Sequence, residues 1–400
     1  MKAVRILVCF STCFVLAKLA LAQELTHGQP PKLPPPYAKP VVANPPTVKT
    51  TPGFLPKAPL GFNVSLFAQG EFKEPRYMAL APNGDIFLAD TTLGKIFVLH
   101  DPGRSGASDR RTVFAEGLKE PFGIAFHEGY VYIGNTNEVV RFRFDSKTSR
   151  RLGEREHILD LPSGGMHSTR TVVFTADGKK MYVSIGSDSN VTPNTDSRRA
   201  AVLIANPDGS DRSIFASGLR NAVGLAVNPE TGQLWADVNE RDMLGDNLPP
   251  DYFTSVKPGG FYGWPYSYIG KNLDDRVKEQ RPDLVAKAII PDVLLGPHVA
   301  PLESAFYTGK QFPAEYWHGA FIAEHGSWNR SIMNGYGVAF VPFKDGQPSG
   351  PPTPFLTGFA PNPNSPVVEG RPVGVVVTND GSLLVSDDGG RVIWKVSKAE

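Results

Sequence analysis

The chain has 400 residues, 41% of them hydrophobic and 20% charged, which supplies one large core or two modest ones and too few charges for a disordered chain. Lys+Arg 41 against Asp+Glu 40 leaves a net charge of +1, so no basic surface argues for nucleic acid. Gly 40 and Pro 37 exceed the usual share and favour many turns and short strands over long helices.

Residues 1–22 read as a secretion signal. Lys2 and Arg5 form the basic start, Ile6 to Ala17 the apolar stretch, and Ala20-Leu21-Ala22 a small-x-small cleavage site before Gln23. The apolar run is short for a bilayer and Lys18 interrupts it, so stable membrane insertion is not expected. The expected location is periplasmic or secreted, after cleavage near Ala22. Cleavage also removes Cys9 and Cys13, the only two cysteines. Thiol catalysis, cysteine metal sites and a CxxCH haem site are thereby excluded by counting.

Residues 23–59 are proline-rich, as in Pro30-Pro31-Lys32-Leu33-Pro34-Pro35-Pro36. Such composition favours extended polyproline conformation with no packed core. It reads as a spacer or a wrapping arm.

From residue 60 to 400 one phrase recurs: a short apolar strand, a glycine turn, a second apolar strand and a polar end. It runs Tyr77 to Asp90, Phe122 to Gly134, Val172 to Gly186, Val223 to Asp237 and Val373 to Asp387, with a degenerate copy around Phe321-Ile322-Ala323 and Val338-Ala339-Phe340-Val341. The first four copies start about 45 to 51 residues apart, a period that belongs to propeller blades. The expected fold is all-β, a six-bladed β-propeller. A sandwich would not repeat one phrase at a long period, and a β-helix needs a shorter one. The best helix candidate lies near Asp274 to Ala288.

Several polar clusters sit where inner strands begin or end. Gly164-Gly165-Met166-His167-Ser168-Thr169-Arg170 precedes one inner strand and Leu219-Arg220-Asn221 opens the next. Asn239-Glu240-Arg241-Asp242 follows a second strand, on a loop rich in the oxygens that suit a hard cation such as Ca²⁺. Glu324-His325-Gly326-Ser327-Trp328-Asn329-Arg330 and Glu369-Gly370-Arg371-Pro372 complete the set. In a closed ring Arg170, Arg220, Arg330 and Arg371 converge on one axis. Converging guanidinium forks imply an anionic ligand with carboxylates or phosphates, and a histidine at the same mouth adds a base.

Taken together and in this order, these motifs resemble the soluble quinoprotein sugar dehydrogenases, the glucose/sorbosone dehydrogenase family, and most closely its sorbosone branch. The resemblance covers about Leu60 to the C-terminus and includes Gly259-Gly260-Phe261-Tyr262-Gly263-Trp264-Pro265 and Gly370-Arg371-Pro372-Val373-Gly374. It implies a six-bladed propeller that binds pyrroloquinoline quinone and Ca²⁺. By it, His167 is the catalytic base, while Arg220, Asn221 and Arg371 contact the cofactor. Arg170 joins them as a nearby fixed charge. Arg330 or His325 stands in for the glucose branch's lysine, and His298 for a hydroxyl side chain. The loop of Asn239, Glu240 and Arg241 matches the one whose backbone carbonyls bind Ca²⁺.

The implied activity is oxidation of a sugar-type hydroxyl or hydrated aldehyde by hydride transfer to the quinone. Electrons then pass to an external acceptor, a quinone or a cytochrome. Two alternatives stay open: a Ca²⁺-dependent lactonase-type hydrolase on a similar propeller, and a non-enzymatic propeller that binds a partner through its loops.

Overall fold

In the computed structural model, which describes residues 23–100 and 110–399, each of the five full copies of the repeated phrase forms the two inner strands of an antiparallel sheet, whereas the degenerate copy forms the second and third strands of its blade, Ala320–Glu324 and Gly337–Val341. The signal segment and both cysteines lie outside the described residues. The first blade is Pro75–Leu80, Ile86–Asp90, Lys95–Leu99 and Arg111–Ala115. The second begins with Ile124–His127 and Tyr130–Asn135, the third with Val172–Phe174 and Met181–Ile185, and the fourth with Ala222–Val227 and Leu234–Val238. The fifth begins with Pro301–Phe306 and Ala320–Glu324. In the sixth, Pro372–Val377, Leu383–Asp387 and Val392–Lys398 are joined by Phe62–Gln69 from the start of the domain.

That last pairing closes the ring. Inner strands of neighbouring blades touch in order all the way round, so the six sheets form one six-bladed propeller. Both faces of each blade are covered by neighbours, and this explains a feature of the sequence. The second strands of blades one, three, four, five and six are buried at every residue, so they read as continuous apolar runs instead of alternating ones. Glycines of the repeated phrase sit where inner strands crowd the axis. A Cβ on Gly123 would lie 2.6 Å from Thr171 Cα, and one on Gly374 2.5 Å from the Arg76 carbonyl oxygen.

The polar end of the phrase also has a physical role. Asp387 accepts the backbone N–H of Arg371 at 2.7 Å and of Gly390 at 2.8 Å; Asp90 does the same for Lys73 and Glu74. A buried carboxylate at the end of the second strand thus fixes the loop that feeds the innermost strand.

The expected helix near Asp274 to Ala288 is reduced to one turn, Pro282–Val285. Before it, Asp274 takes the backbone N–H and guanidinium of Arg276, which holds that stretch as a loop. No helix among the described residues is long and apolar enough to cross a membrane.

The proline-rich segment has no core of its own, but it is not free of core contacts. Gln23–Leu25 adds a fifth strand to blade four by pairing with Val293–Pro297. Leu25, Leu33, Phe54 and Ala58 each pack against a blade core. Between these anchors the chain crosses the loops at one end of the ring, with Thr47–Val48 pairing alongside Val367–Val368.

Candidate active site

Blades three to six send their loops to one end of the ring, where they enclose a cavity of about 300 Å³. His167 enters on the loop before Val172–Phe174. Arg220 and Asn221 stand immediately before Ala222–Val227, and Asn239, Glu240 and Asp242 follow Leu234–Val238. His298 lies between the fourth and fifth blades, His325 follows Ala320–Glu324, and Arg371 precedes Pro372–Val377. All of these line the cavity.

The His167 ring is held by its Nδ1, which lies 2.8 Å from the Ser187 carbonyl oxygen. A carbonyl can only accept, so Nδ1 carries the proton and Nε2 is left with a free lone pair. Burial, helped by the positive charges of Arg220, Arg170 and Arg199, holds this imidazole down at about 3. It is therefore neutral across the ordinary pH range. The close approach of His167 and Asn221 requires Gly186, where a Cβ would lie 2.3 Å from Asn221 Oδ1 and 2.6 Å from His167 Cβ. Asn221 Oδ1 is buried without a partner.

The arginines divide into two groups. Arg371 gives Nε to the His325 carbonyl at 3.1 Å and Nη2 to the Gly326 carbonyl at 3.4 Å, while Nη1 has no protein partner. Arg220 lines the cavity but is already saturated, with donors on the Glu240 carbonyl (2.6 Å), Asp242 (2.9 Å) and Asn190. Arg170 and Arg330 do not line the cavity. Arg170 is fully buried with its guanidinium on the carbonyls of His167, Thr169 and Pro162. Arg330 holds the Asp246 and Ile332 carbonyls and Asn247. A closed ring brings the starts of inner strands together, but carbonyls deprived of a strand partner compete for the same guanidinium donors. Both arginines brace loops.

The loop expected to hold a metal is likewise rearranged. Arg241 points away from the cavity into a buried ion pair with Glu240 (3.0 Å) and Asp274 (3.2 Å). The carbonyls of Asn239 and Glu240 both accept from Arg220 Nη1.

His298 and His325 are both held by one ring nitrogen. His298 Nε2 lies 3.0 Å from the Gly245 carbonyl; His325 Nε2 lies 2.9 Å and 3.0 Å from the two oxygens of Asp388. Burial lowers both imidazoles, and Arg371 adds to that for His325, which is held down at about 4.

Sequence reasoning missed Asp251, Met166, Trp328 and Leu302 as lining residues. Asp251 is the most informative. It is buried beneath the site, where its two oxygens take the backbone N–H groups of Glu240 (2.7 Å) and Ala300 (2.8 Å). Burial pushes its carboxyl up to about 7. The available signal was a carboxyl beside the aromatic pair Tyr252-Phe253, in the wholly buried strand Pro250–Ser255.

Comparison with known proteins gives a consistent placement. The TrAA12-like family model matches residues 56–258 and 272–399. An uncharacterised protein of Borreliella burgdorferi is 30% identical over 355 residues, covering 85% of this chain and 90% of that protein. The pyrroloquinoline quinone-dependent pyranose dehydrogenase of Coprinopsis cinerea is 24% identical across 82% of this chain. The match spans 52% of the fungal protein, about half its length. Among solved structures, the holo form of that enzyme's PQQ domain superposes with a TM-score of 0.74 at 22% identity, covering 89% of this chain and 100% of that one. The PQQ-bound aldose sugar dehydrogenase of Streptomyces coelicolor gives 0.62 at 20% identity, covering 85% and 99%.

Proposed function

Because the chain belongs to the TrAA12-like family of pyrroloquinoline-quinone-dependent sugar dehydrogenases, we propose that its cavity binds that quinone and oxidises a sugar-type hydroxyl or hydrated aldehyde, in the manner of a pyranose, aldose or sorbosone dehydrogenase. One observation carries the reading: a neutral imidazole with Nε2 free and a guanidinium with Nη1 unpartnered line the same cavity.

The residues fit the quinone. Arg371 Nη1 is a donor for a carboxylate, and the orphaned Asn221 Oδ1 awaits a polar partner. When bound, the quinone supplies the electron sink that side chains lack. His167 Nε2 takes the proton of the substrate hydroxyl as hydride leaves its carbon. With Nδ1–H anchored on Ser187, the imidazolium formed keeps its orientation. Its cost is burial first and then the field of Arg220, Arg170 and Arg199, and the second part falls once an anion matches their charge. Arg220 serves this site by fixing the Asn190 and Glu240 loops, and Asp251 by pinning Glu240 to Ala300.

For Ca²⁺, the carbonyls of Asn239 and Glu240 do not fit, because Arg220 occupies them. Asn221 Oδ1 and Asp242 Oδ1 on the cavity wall have no protein partner and do fit a hard cation, whereas both oxygens of Asp251 are taken by backbone N–H groups. These two side chains would hold it, and a cation there would add Lewis-acid polarisation of a bound oxygen. Export through the signal of residues 1–22 and delivery of electrons to an external quinone or cytochrome complete the proposal.

The test is reconstitution. The chain is loaded with pyrroloquinoline quinone and Ca²⁺, passed through gel filtration, and screened by dye-linked oxidation of aldoses, ketoses and osones. Quinone absorbance that travels with the protein and turnover of at least one sugar class are expected. Loss of the quinone on the column would sink the reading.

A further inference from the structure

A second cavity, of about 220 Å³, lies between blades four and five, away from the arginines. Its wall includes Glu324, Gln23 and Asn334, together with residues 335–339 and 356–358. Glu324 is only 7% exposed, and its Oε1 is buried without any hydrogen-bond partner. An orphaned buried carboxyl is costly, and neither the fold nor the proposed chemistry uses it.

The two amides on the same wall are each oriented by one bond. Gln23 gives its Nε2 to the Leu295 carbonyl at 3.1 Å, and Asn334 gives its Nδ2 to the Pro297 carbonyl at 2.8 Å. Each bond uses one N–H of the NH₂ group and fixes how the amide is turned, and neither amide oxygen has a protein partner. The two side chains are also adjacent, since a Cβ built on Gly296 would lie 3.6 Å from both Asn334 Nδ2 and Gln23 Cγ. The cavity wall therefore offers one carboxylate and two unpartnered amide oxygens, beside the one N–H that each amide keeps.

From this donor set we infer that the cavity is a binding site for a monovalent hard cation, Na⁺ or K⁺, with Glu324 Oε1, Gln23 Oε1 and Asn334 Oδ1 as ligands. Oxygen-only ligation selects a hard cation. A single carboxylate matches one positive charge, whereas Ca²⁺ sites gather a larger share of carboxylates. The site stands independently of the quinone reading. It has a consequence for the catalytic cavity all the same, because the Glu324 carboxyl feels the charge of Asp251. Without a cation, burial and that like charge hold Glu324 up at about 8.

Thermal unfolding of the full chain, in EDTA and without quinone, tests the site in KCl, NaCl or choline chloride at equal ionic strength. For a ligand at tenfold over its Kd, a gain of about 1–3 °C is expected in K⁺ or Na⁺ over choline. Glu324→Gln keeps the shape and should lose that gain, and Asn334→Ala should lose most of it if the first variant folds poorly. Crystals soaked in Tl⁺ should show an anomalous peak at Glu324 Oε1. The inference is overturned by equal stability in all three salts, by a gain that survives Glu324→Gln, or by a peak elsewhere. Equal stability is also what an ammonium at a cleaved Gln23 terminus would give, if it filled the cavity itself.

Discussion

The cavity has two walls built from the same parts. Blades three and four contribute His167 and Arg220; blades five and six contribute His325 and Arg371. Each wall pairs an imidazole with a guanidinium, yet the free groups are swapped. On the first wall the arginine is saturated and the histidine keeps Nε2, at the tip of its ring. On the second, Asp388 holds the histidine by that tip atom, leaving Nδ1 beside its own backbone, while the arginine keeps a free nitrogen. A base must reach its proton and an anion anchor must have spare donors. The first wall is therefore equipped for proton transfer and the second for holding an anion, although their compositions do not distinguish them.

The largest effect should come from removing the free imidazole. His167→Ala is expected to lower kcat by roughly 10²–10⁴-fold while quinone titration gives nearly the wild-type affinity. His325→Ala should do the opposite, because its ring holds Asp388, whose backbone N–H donates to the Arg371 carbonyl, and its free nitrogen is badly placed for substrate. If both histidine variants lose turnover equally with quinone bound, the division between walls fails.

Next in size is the anchor. Arg371→Ala removes a charge-assisted contact of the kind that contributes about 1.5–3 kcal/mol, so quinone affinity should fall about 10- to 100-fold, with activity following only through occupancy. Saturating quinone should restore most of the rate. A rate that stays low at full occupancy would move Arg371 from anchoring into the chemical step.

The two histidines also leave different marks on stability. Both are held below the ordinary value near 6.5, His167 at about 3 and His325 at about 4. The unfolded chain binds these protons from about pH 6.5 downward and the folded chain does not, so acidification costs stability in that window and raising the pH restores it. Asp251 and Glu324, pushed up to about 7 and about 8, act in the opposite sense and lose their contribution as pH rises toward those values. At pH 5, His167→Gln and His325→Gln should each reduce the proton uptake of unfolding by close to one, measured calorimetrically in two buffers. Near pH 3.5 only His167→Gln should still do so by much. Equal behaviour at both pH values would contradict the different burial fields of the two walls.

The blades were legible because their physics is periodic: Ile86–Asp90 and Leu383–Asp387 are apolar runs ending in a carboxylate, and the pattern recurs at blade spacing. His167, Arg220, Asn221 and Arg371 were legible as positions, since a strand start maps onto the ring mouth. What sequence could not give is where each side chain's hydrogen bonds go. Arg170, Arg330 and Arg241 are drawn off the cavity by nearby carbonyls or carboxylates, whereas Arg371 lines it and keeps Nη1. Asp251 was hidden because it stands on a third strand outside the repeated phrase, and the arm by its composition, which predicts extension but not the blade cores on which Leu33 and Phe54 settle.

The smallest effect extends the comparison to that arm. Residues 37–40 of the arm bond the Leu244 to Asp246 loop of blade four, while Asn44 ties the second wall: its N–H donates to the Trp328 carbonyl at 2.6 Å and its Nδ2 to the Arg330 carbonyl at 3.1 Å. Thr50 and Thr51 hold Glu369, two residues before Arg371. Asn44→Ala keeps the backbone bond and the strand pairing of Thr47–Val48, and removes only the side-chain tie. A hydrogen bond of that kind contributes about 0.5–1.5 kcal/mol, so quinone affinity should weaken about 2- to 10-fold through a looser Trp328–Arg330 loop. The rate at saturating quinone should be unchanged, because His167 and Ser187 have no part in these contacts. Restoring affinity with Asn44→Gln would show that the tie, and not the volume of the side chain, is what matters. If Asn44→Ala instead lowers the saturated rate with affinity intact, the arm acts on the first wall and the two walls are not mechanically separate.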